Sequence, residues 1–243
     1  MNKTEIEWTN YTWNPVTGCL NGCKYCYARG IAARWYPPEI GFSPHFYPER
    51  LNQPLKVKKP QKIFTVDMGD LFGPWVPQDW IDAVLETVRK CPQHSFQFLT
   101  KFPKRLPAIE WPANAWIGVT ATDQKMFDEA VQHLKAAPLA RVKFISAEPL
   151  LGPIRIKNPG LDWLIIGAQS KPVIMPKRGW IDDLITDARE ADIAVFIKEA
   201  PIPLGYQIQE WPDKKRSPSS ACWGRKELKI SWTKRLYRNQ IRK

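Results

Sequence analysis

The sequence predicts an α/β protein built on about six or seven parallel strands with outer helices. Apolar runs of strand length recur at 11–16, 63–66, 95–99, 115–119, 142–145, 163–166 and 193–197. Amphipathic stretches alternate with them, most clearly at 78–90, 124–137 and 181–191. Near-continuous apolar strands alternating with helices indicate a parallel sheet covered on its faces. Nearly every run also finishes in polar or charged residues, which in a parallel barrel all point to one face. Crossovers should be right-handed, and both a barrel and a doubly wound sheet satisfy the pattern.

Segment 11–16 alternates and is rich in β-formers, so it is read as the first strand. Gly18 then frees the backbone to turn. Residues 24–35 carry helix formers and no proline, which predicts a helix. Residues 36–60 hold six prolines and cannot be regular helix. They are read as a surface connection that shapes the mouth of a site. Asp79 and Asp123 stand where helix N-caps are expected.

Between the first strand and the first helix lie Cys19, Cys23 and Cys26, spaced C-x3-C-x2-C. Soft thiolates select zinc or iron–sulfur. Three local ligands leave an open coordination position, which catalytic centres keep and structural sites close. Spacing alone suits a four-iron cluster and a zinc site equally. Zinc would need a fourth ligand, and the nearest histidine, His45, is 19 residues beyond Cys26 across the proline-rich segment. A disulfide framework does not suit a chain of this length and class. Cys91 and Cys222 stand alone. His45, His94 and His133 form no cluster and are read as structural.

The strand ends supply further candidates. They are Asp67-Met68-Gly69-Asp70, Thr100-Lys101, Thr120-Ala121-Thr122-Asp123, Ser146-Ala147-Glu148-Pro149, Gly167-Ala168-Gln169-Ser170 and Lys198-Glu199. Lys101, Glu148 and Lys198 are candidate catalytic groups, and Lys101, Lys198 and Glu199 candidate substrate contacts. A lysine there can anchor a carboxylate or phosphate as a point charge.

The net charge is +12, and nine of those charges fall in residues 212–243. A division into a domain at 1–210 and a basic extension at 211–243 follows. Such a tail attracts polyanions, or is a solvated arm. Of twelve tryptophans, Trp8, Trp13 and Trp35 flank the cysteine loop, where aromatics beside cations can stack unpaired bases. Trp80, Trp116 and Trp163 are read as core. The N-terminal segment has no secretory apolar region, and no run approaches a membrane span of ~20 residues. A soluble cytoplasmic protein with reduced thiols is expected.

The cysteine spacing, with Tyr25 before the last cysteine, resembles the radical S-adenosylmethionine (SAM) superfamily. Ile6-Glu7-Trp8-Thr9, Trp13-Asn14-Pro15-Val16-Thr17-Gly18-Cys19, Asp70-Leu71-Phe72 and Leu99-Thr100-Lys101 resemble an uncharacterised radical SAM-like family common in phages and bacteria. So do the stretches 146–153 and 162–167. The resemblance spans 5–200 and implies a partial or full (β/α) barrel with the cluster loop after the first strand. It implies that Cys19, Cys23 and Cys26 bind a [4Fe-4S] cluster, whose open iron takes the amino and carboxylate groups of SAM. An electron from the cluster would then cleave SAM to a 5′-deoxyadenosyl radical.

Carried over by residue, Tyr25 would lie near the adenine. Gly69 and Asp70 would form the turn whose backbone meets the SAM amino group, although Met68 and Asp70 depart from the usual Gly-Gly-Glu. Thr120 and Thr122 would bond the ribose hydroxyls or carboxylate. Ser146 and Glu148 would face SAM or substrate, and the backbone of Ile166 and Gly167 would meet the adenine. The implied function is hydrogen abstraction from, or radical addition to, an anionic substrate, supported by an external electron donor. The basic tail and the aromatics favour nucleic acid or a nucleotide. Two alternatives stand beside it. One is a zinc-stabilised, non-catalytic nucleic-acid-binding protein. The other is a radical SAM enzyme acting on a peptide or small metabolite, with the tail as a lid.

Overall fold

A computed structural model describes residues 1–137, 140–157, 160–170, 172–198 and 205–212. Glu199, Cys222 and the basic segment 213–243 lie outside the described residues.

The chain opens with β1 (Asn2–Lys3), which pairs antiparallel with β2 (Tyr11–Trp13). β3 (Val16–Thr17) and the cysteine loop lead into α1 (Tyr27–Trp35), and β4 (His45–Phe46) pairs back on β3. Next come β5 (Lys62–Thr65), α2 (Gln78–Arg89), β6 (Ser95–Thr100), β7 (Ala115–Thr120) and α3 (Gln124–Ala136). β8 (Val142–Ala147), β9 (Trp163–Ile166) and a small hairpin of β10 (Gln169–Ser170) with β11 (Val173–Ile174) follow. α4 (Arg178–Glu190) and β12 (Ala194–Ile197) complete the sequence of elements.

The main sheet has eight strands in the order β1-β2-β5-β6-β7-β8-β9-β12. Every pairing after the first is parallel. A doubly wound sheet reverses its strand order at a switch point. Here the order follows the chain without reversal, so the sheet is singly wound, a partial barrel, and all parallel strands end on one face.

Several local readings shift. The run 11–16 divides into two strands because Asn14 turns away from the ladder. Its side chain accepts from the Met68 amide at 3.0 Å and donates to Asp67 at 2.6 Å, and Pro15 has no N–H to continue the ladder. α1 starts at Tyr27 rather than 24, because Cys26 holds the N-cap position. Asp123 caps α3, accepting from Met126 N at 3.0 Å. Asp79 instead lies in the first turn of α2, with Pro77 at the cap. The passage from β6 to β7 is a 3-10 turn, Pro103–Ala108, because prolines at 103 and 107 break α-geometry.

Side chains alternate along each strand and so divide the sheet into two faces. Ile63, Phe96, Phe98, Ile117, Ile145, Leu164 and Val195 join Ile81, Val84, Phe127 and Ile181 from the helices in the main core. Phe64, Trp116, Phe144, Trp163, Ile165 and Phe196 face the other way and pack with Trp8 inside the partial barrel. Full burial of such side chains contributes ~1.5–3 kcal/mol each.

Trp211 closes this aromatic layer, stacked on Trp163 with ring centroids 5.3 Å apart. Ile197 N donates to Ile208 O and Glu210 N to Val195 O, at 2.8 and 2.9 Å, which covers the edge of β12. Among the described residues no helix is long and apolar enough to cross a membrane.

Candidate active site

The cysteine loop is fastened to the end of β5 by two glycines. Gly18 has φ +85°, a conformation only glycine adopts freely. Its N–H donates to Met68 O at 2.8 Å, and it forms a parallel bridge with Gly69. A Cβ on Gly69 would stand 2.8 Å from Gly18 O, so the two backbones meet only because both lack side chains. Cys19 N then donates to Phe42 O at 3.0 Å, which ties the proline-rich connection to the loop.

The three thiols stand on one wall of a cavity of about 380 Å³ at the C-terminal ends of the parallel strands. The Arg29 amide donates to Cys26 Sγ at 3.4 Å and Asn21 Nδ2 to Cys23 Sγ at 3.0 Å. The unpaired N–H groups at the start of α1 favour an anionic sulfur there. Burial pushes the Cys19 thiol up to about 11, helped by the Asp70 carboxylate and the two other thiols and opposed by the Asn21 amide. A bound metal inverts this balance, because a coordinating thiol is deprotonated outright.

The donor set fits a cluster better than a single ion. Zinc–sulfur bonds of ~2.3 Å would draw three sulfurs to within about 4 Å of each other. Among the described residues no three His, Cys, Asp or Glu side chains converge in that way. Three thiolates spread along a cavity wall suit the separate irons of a cluster.

The polar groups of the cavity come from successive strand ends. Asp70 is 5 % exposed and accepts from Phe72 N, the Thr100 hydroxyl and Lys101 N at 3.1, 2.6 and 2.9 Å. It fastens the loop after β5 to the end of β6. Burial raises its pKa against those three donors. Asp70→Ala would leave three buried donors unmatched at about 1–3 kcal/mol each. It is expected to lower Tm by roughly 6 °C or more. Asp70→Asn keeps one acceptor oxygen and should lose clearly less in the same thermal melt.

Lys101 Nζ lies 5.7 Å from the centre of the Tyr25 ring. Burial pushes the Tyr25 hydroxyl up to about 12, with Cys23 and Cys26 adding to the rise. Lys198 Nζ donates to Glu148 Oε1 at 2.6 Å, with both side chains mostly buried. Gly167 makes room for that carboxylate, since a Cβ there would stand 2.9 Å from Glu148 Cγ. Burial also raises the pKa of Asp67, which is held by Asn14.

Of the candidates, Cys19, Cys23, Cys26, Tyr25, Gly69, Asp70, Lys101, Thr120, Ser146, Glu148 and Lys198 all line this one cavity. Thr122 and Ile166 do not. The Thr122 hydroxyl turns to Met126 Sδ at 3.2 Å, and Ile166 packs in the helix-facing core. Gly167 supports Glu148 from behind. Trp8 and Trp13, read as flanking aromatics, are 2 % and 0 % exposed. Trp8 forms part of the cavity floor with Ile6, Phe64 and Leu99, while Trp13 Nε1 donates to Arg50 O at 2.8 Å. Asn21, Tyr27 and this apolar floor escaped the sequence reading. The Asn14-Pro15 break in an otherwise regular strand was the signal for the Asn14–Asp67 clasp.

Residues 3–214 match the family described as "Protein of unknown function (DUF5131)". The chain belongs to that family. No curated protein matches this DUF5131 member. Among solved structures, a single-substitution variant of spore photoproduct lyase superposes with TM-score 0.51 at 10 % identity, over 81 % of this chain and 78 % of that one. Spore photoproduct lyase complexed with dinucleoside spore photoproduct gives TM-score 0.47 at 12 % identity, over 69 % of this chain and 58 % of that one. A variant with bound AdoMet and dinucleoside spore photoproduct gives 0.48 at 12 %, over 78 % and 53 %. The DUF5131 chain therefore spans little more than half the length of these last two. The likeness is one of fold, a mostly parallel partial barrel.

Proposed function

We propose that the protein is a radical SAM enzyme acting on an anionic substrate, with nucleic acid or a nucleotide favoured. The observation that carries the reading is the placement of three cysteine thiols on the wall of a cavity where seven parallel strands end. Cys19, Cys23 and Cys26 would hold a [4Fe-4S] cluster, and the cavity beside them would take SAM. Bound together, cluster and SAM supply a one-electron cleavage that yields a carbon-centred radical.

The chain's own part is to bind, orient and exclude water. The floor of Ile6, Trp8, Phe64 and Leu99 keeps water from the reacting centre. Lys101 offers a positive point charge beside Tyr25, suited to a carboxylate or phosphate. The hydroxyls of Thr120 and Ser146 offer hydrogen bonds from the inner wall. The Lys198–Glu148 pair, with Gln169 and Ser170, completes the lining. The basic segment 213–243 would add attraction for a polyanion, and a reducing, cytoplasmic setting belongs to the same reading.

Anaerobic reconstitution with iron and sulfide tests this directly. The expected outcome is a brown protein that forms 5′-deoxyadenosine from SAM and dithionite. Pools of single-stranded DNA, RNA, nucleotides and peptides then identify what stimulates turnover. A colourless protein that takes up only zinc under these conditions would refute the reading.

A further inference from the structure

We infer that the outer face of α1 is the docking surface for a small acidic protein that delivers single electrons. The inference rests on the radical SAM reading and adds a partner to it.

α1 begins at the residue after Cys26 and is capped by that cysteine's sulfur. Ala28 and Ala32 pack inward. Tyr27, Ile31 and Trp35 follow one another at four-residue steps and therefore share one helix face. They are 46 %, 41 % and 78 % exposed, and Leu20 in the cysteine loop is 57 % exposed. Single exposed apolar residues are ordinary on a surface, whereas an aligned set marks an interaction site. With a rise of ~1.5 Å per residue, Ile31 stands about 7.5 Å and Trp35 about 13.5 Å along the axis from Cys26. A partner seated on this stripe would be as near the cysteine sulfurs as the protein surface permits.

Charge identifies the partner. From Gly18 to Pro38 the sequence has no Asp or Glu, and it carries Lys24, Arg29 and Arg34. Arg29 is anchored at the loop, its Nη2 donating to Cys19 O at 3.3 Å. Interface cores favour aromatics and arginine. Redox encounters occupy the small end of interface sizes, below ~1,200 Å². Cations around the stripe would steer an acidic surface onto it. The chain's own segment 213–243 is itself basic, and a second copy would set these cations against each other. Nucleic acid would satisfy the cations and leave the apolar stripe without use, since its interfaces are polar and wet.

The step is a single electron transfer. The reduced carrier, a flavin or iron–sulfur protein, loses one electron and the cluster gains it, with no bond made or broken.

The test uses reconstituted protein and an acidic flavodoxin. Calorimetry should show micromolar binding that weakens about tenfold between 50 and 500 mM salt. The double variant Ile31→Ser/Trp35→Ser should weaken binding about tenfold, and Arg34→Glu should both weaken it and flatten its salt dependence. The rate at which reduced flavodoxin bleaches the cluster should fall in step, while dithionite-driven SAM cleavage stays at the wild-type rate. Wild-type binding and bleaching in all three variants would overturn the assignment. So would a loss confined to single-stranded oligonucleotide binding, or a shift from dimer to monomer with flavodoxin binding intact. If dithionite yields no SAM cleavage by the wild type, the radical SAM reading itself falls and carries this one with it.

Discussion

Cys23→Ala is expected to leave a folded, colourless protein. Three thiolates are the smallest set that can hold a four-iron cluster while leaving one iron open, so loss of one leaves two ligands. Iron should drop from about four per chain to below about one, in keeping with thiolate ligation of such clusters. SAM cleavage should drop to background. Cys23 is only partly buried and its recorded hydrogen bond is from Asn21 Nδ2 at 3.0 Å. The stability of the iron-free chain should therefore change by no more than ~0.5 kcal/mol, as for other substitutions outside a core. Cys91→Ala supplies the contrast. Cys91 is fully buried away from the cavity, so its loss should leave iron content and colour intact. It should cost stability on the order of 1 kcal/mol. Iron analysis and visible spectra of both variants check the pair. Retention of a full complement of iron in Cys23→Ala would show that other side chains hold the metal. Because ligand thiols must lose their protons, cluster assembly should also slow as pH falls, most of all through Cys19, whose thiol burial pushes up to about 11.

Much of this site could be read from the residues because its parts are local. The cysteine loop needs only three thiols within eight residues, and the strand ends are marked wherever an apolar run meets a charge. Asp70, Lys101, Ser146, Glu148 and Lys198 were found in that way, and all reach one cavity. Facing was harder to read. A strand buried on both sides is apolar at every position, so its sequence does not say which side chains point into the barrel. Ile166 and Ile165 look alike in sequence, yet one joins the helix-facing core and the other the inner aromatic layer. Thr122 fails for a related reason. It lies two residues past the end of β7, where the chain has already turned toward α3 and Met126 takes its hydroxyl. Trp8 and Trp13 misled because aromatic residues near a basic loop suit a surface and a core equally. The long-range pairing of β3 with β4 across a proline-rich stretch has no local signature at all.

The geometry of the loop makes a second large effect predictable. Gly18→Ala should lose both stability and the cluster. At φ +85° a side chain is strained by about 1–2 kcal/mol. The added Cβ would also stand 2.0 Å from Ser43 O and 2.4 Å from Ser43 C, both backbone atoms that cannot rotate away. Relief requires the 43–44 backbone to move off the loop. That motion pulls on the Phe42 carbonyl, which accepts from Cys19 N at 3.0 Å. The combined cost is expected to exceed roughly 3 kcal/mol. For a chain of this size that lowers Tm by about 6–12 °C. Cys19 should shift with the backbone, so iron content should drop well beyond what the melting temperature alone would suggest. Gly22→Ala separates conformational strain from crowding. Gly22 also has a positive φ, +71°, but a Cβ there meets nothing within 4 Å. It should cost only about 1–2 kcal/mol and keep its colour. Gly30→Ala lies inside α1, again with nothing within 4 Å of the new atom, and should stabilise the helix by ~0.5–1 kcal/mol. If Gly18→Ala melted and bound iron like Gly22→Ala, the close meeting of the cysteine loop with the proline-rich connection would not be what holds Cys19 in place.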